Sequence, residues 1–167
     1  MVKRGLTRRE REVTDLQEIK NILDTCKILH LGLVDGDEPY VVPMNYGYTL
    51  EDGNLTIYLH GATAGYKLEL MAKNPKVFFE MDCDIVPFEG DKACQYGNAY
   101  KSIMGKGQIE IIHDVEVKKN ALSILMKTQT GKDFVFDDRM VSIVSVMRIQ
   151  VKEYTAKCRL LPAIMRE

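Results

Sequence analysis

The stretch KILHLGLVDGDEPYVVPMNYGYTLEDGNLTIYLH, residues 27–60, sets two Asp-Gly pairs, Asp35-Gly36 and Asp52-Gly53, between three apolar runs. Asp-Gly marks a hairpin because glycine supplies the positive φ that a tight turn between antiparallel strands requires. The stretch therefore predicts three consecutive antiparallel strands. In the middle run Tyr40, Val42, Met44, Tyr46 and Tyr48 alternate with Val41, Pro43, Asn45 and Gly47, one set on each face. Pro43 has no N–H to donate, so the strand is expected to bulge there or to lie at an edge.

Downstream, KVFFEMD (76–82) alternates again and predicts a fourth strand, followed by a loop through CDIVPFEGDKACQYGN. A fifth strand is expected from about Tyr100 to Ile112, bent or bulged at Gly105 and Gly107. A long final strand runs through SIVSVMRIQVKEYT. Three helices accompany them. The first follows TD, with Thr14 and Gln17 as a capping box and Leu16, Ile19, Ile22, Leu23 and Cys26 as its apolar stripe. The second is YKLELMAKN, and the third starts at Asp114 as N-cap and stops at Gly131. Six strands joined by hairpin turns close into a small barrel more readily than they lie flat. The reading is an α+β, mainly β domain: a six-stranded antiparallel barrel with flanking helices. It spans residues 1–167, with an arm and helix to about 26, the barrel at about 27–154 and a tail at 155–167.

Length and composition fit one globular domain, with 46% hydrophobic and 28% charged residues. A net charge of -1 gives no reason to expect nucleic acid or an acidic membrane as partner. The basic KRGLTRRERE at residues 3–12 is diluted by its glutamates and reads as a solvated arm or helix start. No apolar run reaches the roughly 20 residues of a spanning helix, and no signal-peptide core precedes the first helix, so a cytoplasmic protein is expected. Cys26, Cys83, Cys94 and Cys158 are scattered without a C-x-x-C pair, as are the three histidines, so no metal site is expected. His30 and His113 read as structural or surface residues. The tyrosines read mostly as core or interface, and Cys94 as an inert loop thiol.

One connection carries chemical interest. LHGATAGYKLELMAKNP, residues 59–75, passes from strand to helix through His60, Gly61, Ala62, Thr63 and Gly65, with Lys67 in the helix's first turn. The first amides of a helix lack intrahelical partners and the dipole is positive there, so this loop has the ingredients of a phosphate site. Glycine-rich strand-to-helix joints are also common without ligands, and no Walker pattern is present. Local sequence leaves both readings open.

The order PYVVPMNYGY, LTIYLHGATAGYKLELMAKNPKVFF, YKSIMGKG resembles the flavin-binding split barrels related to pyridoxamine 5'-phosphate oxidase. It resembles most the 5-nitroimidazole-resistance (Nim) branch, whose N-terminal pattern RRERE-V-TD also fits, over residues from about 8 to 151. The resemblance implies FMN at the interface of a homodimer. By position, Lys67 would hold the FMN phosphate with His60, Gly61, Ala62, Thr63 and Gly65. Pro43, Met44, Asn45 and Tyr46 would run along the ring, largely by backbone contacts, and Ser102 would face its polar edge. In the Nim branch the residue matching His60 lies beside the flavin, which raises a catalytic role as proton donor against a purely structural one. The chain departs from the oxidase proper: GYK replaces its serine-arginine-lysine run, and Lys101-Ser102 replaces its arginine-glutamine run. This tells against oxidase activity and leaves flavin binding intact. Two functions follow from the resemblance: an FMN-dependent oxidoreductase passing electrons to a small acceptor, conceivably nitroaromatic, or a non-catalytic flavin or haem carrier or sensor.

Overall fold

The computed structural model of the chain describes residues 7–163. After a short helical turn at Arg9–Arg11, the elements are β1 (Glu12–Val13), α1 (Leu16–Thr25), β2 (Ile28–Asp35), β3 (Glu38–Glu51), β4 (Asn54–Gly61), α2 (Tyr66–Lys73), β5 (Lys76–Phe88), β6 (Gly97–Ile112), α3 (Val115–Thr130), α4 (Asp138–Ser142) and β7 (Ser145–Arg159). All pairings are antiparallel, in the order β7-β4-β3-β2-β5-β6, and β6 pairs again with β7 to close the ring. The expected six-stranded mainly β barrel is the observed one. The two-residue β1 adds to the far half of β7, pairing Glu12 with Lys157.

Both Asp-Gly turns form as the sequence predicts, with φ of 64° at Gly36 and 82° at Gly53. Of the two faces read along β3, the one carrying Met44, Tyr46 and Tyr48 turns inward. Tyr46 is fully buried, and its hydroxyl donates to the Leu23 carbonyl at 2.7 Å. That bond ties the barrel wall to α1, whose Ile19, Ile22 and Leu23 join the same core. Full burial of such side chains contributes roughly 1.5–3 kcal/mol each. A second, smaller core lies outside the barrel, where Ala121 and Leu122 of α3 meet Ile112, Val141 and Val146.

Four expectations need correction. The cap of α1 is Asp15, whose carboxylate accepts from the Glu18 amide, so Thr14 and Gln17 form no capping box, and Leu16 is exposed. The segment after Asp82 is largely strand: β5 runs on to Phe88, absorbing one extra residue in a bulge between Cys83 and Val86. Asp84 takes the positive φ there, a conformation that asparagine and aspartate tolerate better than most residues. The short α4, capped by Asp137, was not expected and overlaps the assigned last strand only at Ser142. That strand begins at Ser145 and reaches Arg159, beyond the expected end of the barrel. The bulge expected near Gly105 and Gly107 is present, with the extra residue on β7 between Val151 and Glu153. Pro43 pairs in unbroken register with His30, so it causes no bulge. The edge alternative holds, because the β3–β4 ladder ends at Tyr46–Leu59.

α3 lies against the outer side of β3 at Gly47, where an added Cβ would stand 2.3 Å from the Leu125 Cα and 2.6 Å from its backbone nitrogen. Backbone cannot yield as a side-chain tip can. Gly47→Ala should therefore destabilise the fold by about 3 kcal/mol, at the upper end of overpacking costs. Urea denaturation measures this, and an unchanged midpoint would contradict the packing.

Candidate functional site

β3 has fourteen residues and β4 eight, so β4 cannot accompany β3 along its whole length. Their ladder runs from Glu51–Asn54 to Tyr46–Leu59 and stops. Beyond that point Pro43, Met44 and Asn45 remain paired with β2 on one side. His60 and Gly61 remain paired with β7 through Val146 and Ser145. The barrel wall thus splits between β3 and β4, leaving two unpaired backbone edges. Met44 and Tyr46 point their side chains into the core, so only their main chain is available at the split. Asn45 points out and donates to the Lys27 carbonyl at 3.3 Å, while Gln129 of α3 donates to the Tyr46 carbonyl at 2.8 Å. These bonds hold the β3 lip in place.

On the β4 lip the chain passes through exposed Ala62, Thr63 and Gly65 into α2. Gly65 has φ 139° and ψ 165°, a region open essentially to glycine, and no side chain caps the helix. Elsewhere the sequence places an aspartate at this position: Asp15, Asp114 and Asp137 cap α1, α3 and α4. Lys67 folds back over Gly61, its Nζ 3.3 Å and its Cε 3.0 Å from where a Cβ on Gly61 would stand. Any side chain at residue 61 would displace that ammonium group. Lys67 makes no ion pair among the described residues, and the Nδ1 of His60 is buried without a hydrogen-bond partner. Burial, and then the nearby Lys67 charge, hold His60 below the ordinary histidine range.

A helix entrance without a capping side chain, a free ammonium group and an unpartnered buried ring nitrogen all call for an acceptor. An anion of phosphate type fits them, since it accepts from amides, ammonium and imidazole N–H alike. The structure thus brings Pro43, Met44, Asn45, Tyr46, His60, Gly61, Ala62, Thr63, Gly65 and Lys67 to the two lips of one opening. It does not bring Ser102 there. Ser102 pairs with Lys157 on β7, whereas His60 lies across β7 from Val146, which pairs with Ile112. Ten residues of β6 separate Ser102 from that end, roughly 33 Å if straight. Ser102 is the one buried polar or charged residue among those described, on the face it shares with Asp82. A cleft of about 950 Å³ lies between α1 and the C-terminal half of α3 and is lined by none of these residues. What sequence reasoning missed is the role of strand length, and with it the contribution of Gln129. No local signal marks that residue.

Residues 15–158 match the family model for pyridoxamine 5'-phosphate oxidase. Among curated proteins there is no significant match. Among solved structures, a candidate 5-nitroimidazole antibiotic resistance protein from Bacteroides thetaiotaomicron superposes with a TM-score of 0.75 at 32% identity, over 88% of this chain and 86% of that one. The flavocytochrome Anf3 from Azotobacter vinelandii has a TM-score of 0.76 at 20% identity, over 95% and 74% of the two chains. The FAD and heme binding protein from Mycobacterium smegmatis has a TM-score of 0.74 at 16% identity, over 89% and 73%. At those identities the latter two speak to the fold. Among the described residues, no helix is long and apolar enough to cross a membrane.

The depressed His60 fixes a pH signature. A group held below its ordinary value binds fewer protons folded than unfolded, so acid weakens the fold. The loss begins as pH falls through about 6.5 and continues down to the lower folded value. Between about pH 7.5 and about 5.5, wild type should lose stability relative to His60→Gln. Denaturant titrations at the two pH values read this, and parallel pH profiles would refute it.

Proposed function

This chain belongs to the pyridoxamine 5'-phosphate oxidase family, and on that footing we propose that it is an FMN-dependent oxidoreductase. The observation that carries the reading is the opening between β3 and β4, with the free Lys67 ammonium and the orphaned His60 Nδ1 on one lip. Lys67 and the amides entering α2 hold the terminal phosphate of FMN. Gly61 and Gly65 let the main chain approach it, with Ala62 and Thr63 between them. The backbone of Pro43, Met44, Asn45 and Tyr46 lines the flavin ring. Bound there, FMN supplies electron transfer between a reductant and a small acceptor; the 32% identical structural relative makes a nitroaromatic acceptor a reasonable first substrate to try. His60, which burial and then the Lys67 charge favour in its neutral form, is able to donate a hydrogen bond from Nδ1 without bringing a second positive charge.

The remoteness of Ser102 supports a homodimer. One flavin cannot span the barrel from the Lys67 lip to Ser102, so Ser102 of the partner subunit would complete the site. A face suited to that partner is present on the outer side of β3, β2 and β5. There Val41 and Phe78 flank Gly32 in one cross-strand row, 62% and 50% exposed, with Val34 and Ile28 exposed beside them. Exposed apolar rows of this kind are typical of surfaces that another chain covers. A non-catalytic flavin or haem carrier is the second reading. It draws on the absence of arginine from the residues of the two lips, which leaves no group to grip a second anionic reactant.

The purified protein should be yellow and release about one flavin per chain on denaturation, FMN by chromatography. Lys67→Ala should weaken FMN binding at least tenfold, about 1.4 kcal/mol. A colourless protein that fails to take up added FMN would overturn the assignment. Affinity unchanged in Lys67→Ala would remove the phosphate role. Oxidation of a nicotinamide donor with reduction of a nitroaromatic separates the enzyme from the carrier.

A further inference from the structure

We propose that His30, Glu80 and Asp82 form a site for a divalent transition-metal ion on the outer face of the barrel. One donor atom from each residue lies within 4.8 Å of the other two, and the His30 Nδ1 stands 3.3 Å from a Glu80 carboxylate oxygen. Two ligands of a tetrahedral ion with bonds of about 2.1 Å are separated by roughly 3.4 Å, so that pair is already at coordinating spacing. Asp82 closes on it by a side-chain rotation.

The scaffold is stiff. His30 and Glu80 are directly opposite each other on neighbouring strands, and Asp82 lies two residues along, hence on the same face. Behind them Leu29, Leu31, Phe79 and Met81 are fully buried and fix the two backbones. One imidazole and two carboxylates suit zinc, manganese or iron better than calcium or magnesium, which prefer oxygen alone. Three protein donors leave a further coordination position open to an exchangeable ligand.

The charge balance points the same way. The two carboxylates share a face with one histidine as their local counter-charge. The lysines that β6 brings nearest are engaged elsewhere: Lys101 with Glu18 and Asp84, Lys106 with Glu153. Asp82 has no ion-pair partner among the described residues. A cation between the two carboxylates would relieve their mutual repulsion. The site uses none of the residues at the β3–β4 split, but His30 is the cross-strand neighbour of Pro43 and sits between Ile28 and Gly32 on the face proposed above for the partner subunit. Sequence spacing gave no hint of it, because the ligands come from strands fifty residues apart.

The test is a Zn2+ titration of reduced, tag-free full-length protein, read by competition with a chromogenic chelator. It is carried in a Cys94→Ser background to remove the exposed thiol. Saturation at one equivalent per chain is expected, with a rise in melting temperature on adding Zn2+. Asp82→Asn and His30→Ala should each weaken binding at least about tenfold and abolish that rise, while leaving the metal-free melting temperature unchanged. Absence of saturable binding, or binding that both variants retain at full strength, would overturn the proposal and leave His30–Glu80 a simple ion pair.

Discussion

The structure depends on a mismatch of strand lengths. β3 is longer than β4, and it serves β2 along one half and β4 along the other. Closure of the ring does not remove the mismatch. β7 pairs with β6 along almost its whole length and with β4 only near its start, so the barrel closes on that side and opens between β3 and β4. Backbone groups freed in this way must find other partners or a ligand. Asn45 and Gln129 are bonded within the chain at the β3 lip, which fixes its position and leaves the opening itself available.

Unbalanced polar groups then mark the places where chemistry concentrates. Several ionisable side chains among the described residues are matched by an opposite charge. Lys127 meets Asp133, Arg148 meets Glu110, and Lys119 lies between Glu116 and Asp138. Against that background two sites stand out with opposite sign. At the helix entrance Lys67 and His60 offer donors without an acceptor. On the outer sheet, Glu80 and Asp82 offer acceptors with one histidine to balance them. The first suits an anion and the second a cation, and each has backbone rigidly held by core residues beneath it. The buried tyrosines and cysteines carry no comparable signal. Burial raises the hydroxyls of Tyr46 and Tyr48 and the thiol of Cys26 far above their usual ranges, so these groups stay neutral and serve packing.

Much of the barrel was legible where local chemistry and tertiary structure agree. The Asp-Gly turns, the Asp114 cap, the Gly131 stop and the alternation along β3 each follow from a constraint that one or two residues impose on their own backbone. The misreadings arise where distant pairing prevails. Pro87 and the charges around it suggest a loop, yet β6 recruits that segment into β5 once a bulge at Asp84 restores register. Thr14 and Asp15 are both acceptable cap residues by type, and the structure uses Asp15. β1 is too short to be signalled locally and exists because β7 offers an edge.

The sequence by itself determined most of the strands and helices, the two alternating faces of β3, and the glycine-rich joint leading to Lys67. These are local matters, governed by φ/ψ preference and side-chain periodicity. Only the tertiary structure decided that the joint faces the unpaired backbone of Pro43 and Asn45, that Ser102 lies at the far end of the barrel, and that His30 meets two carboxylates. Such meetings depend on register between strands far apart in the chain. Register is fixed by the whole set of buried side chains at once, so no short stretch of residues contains it.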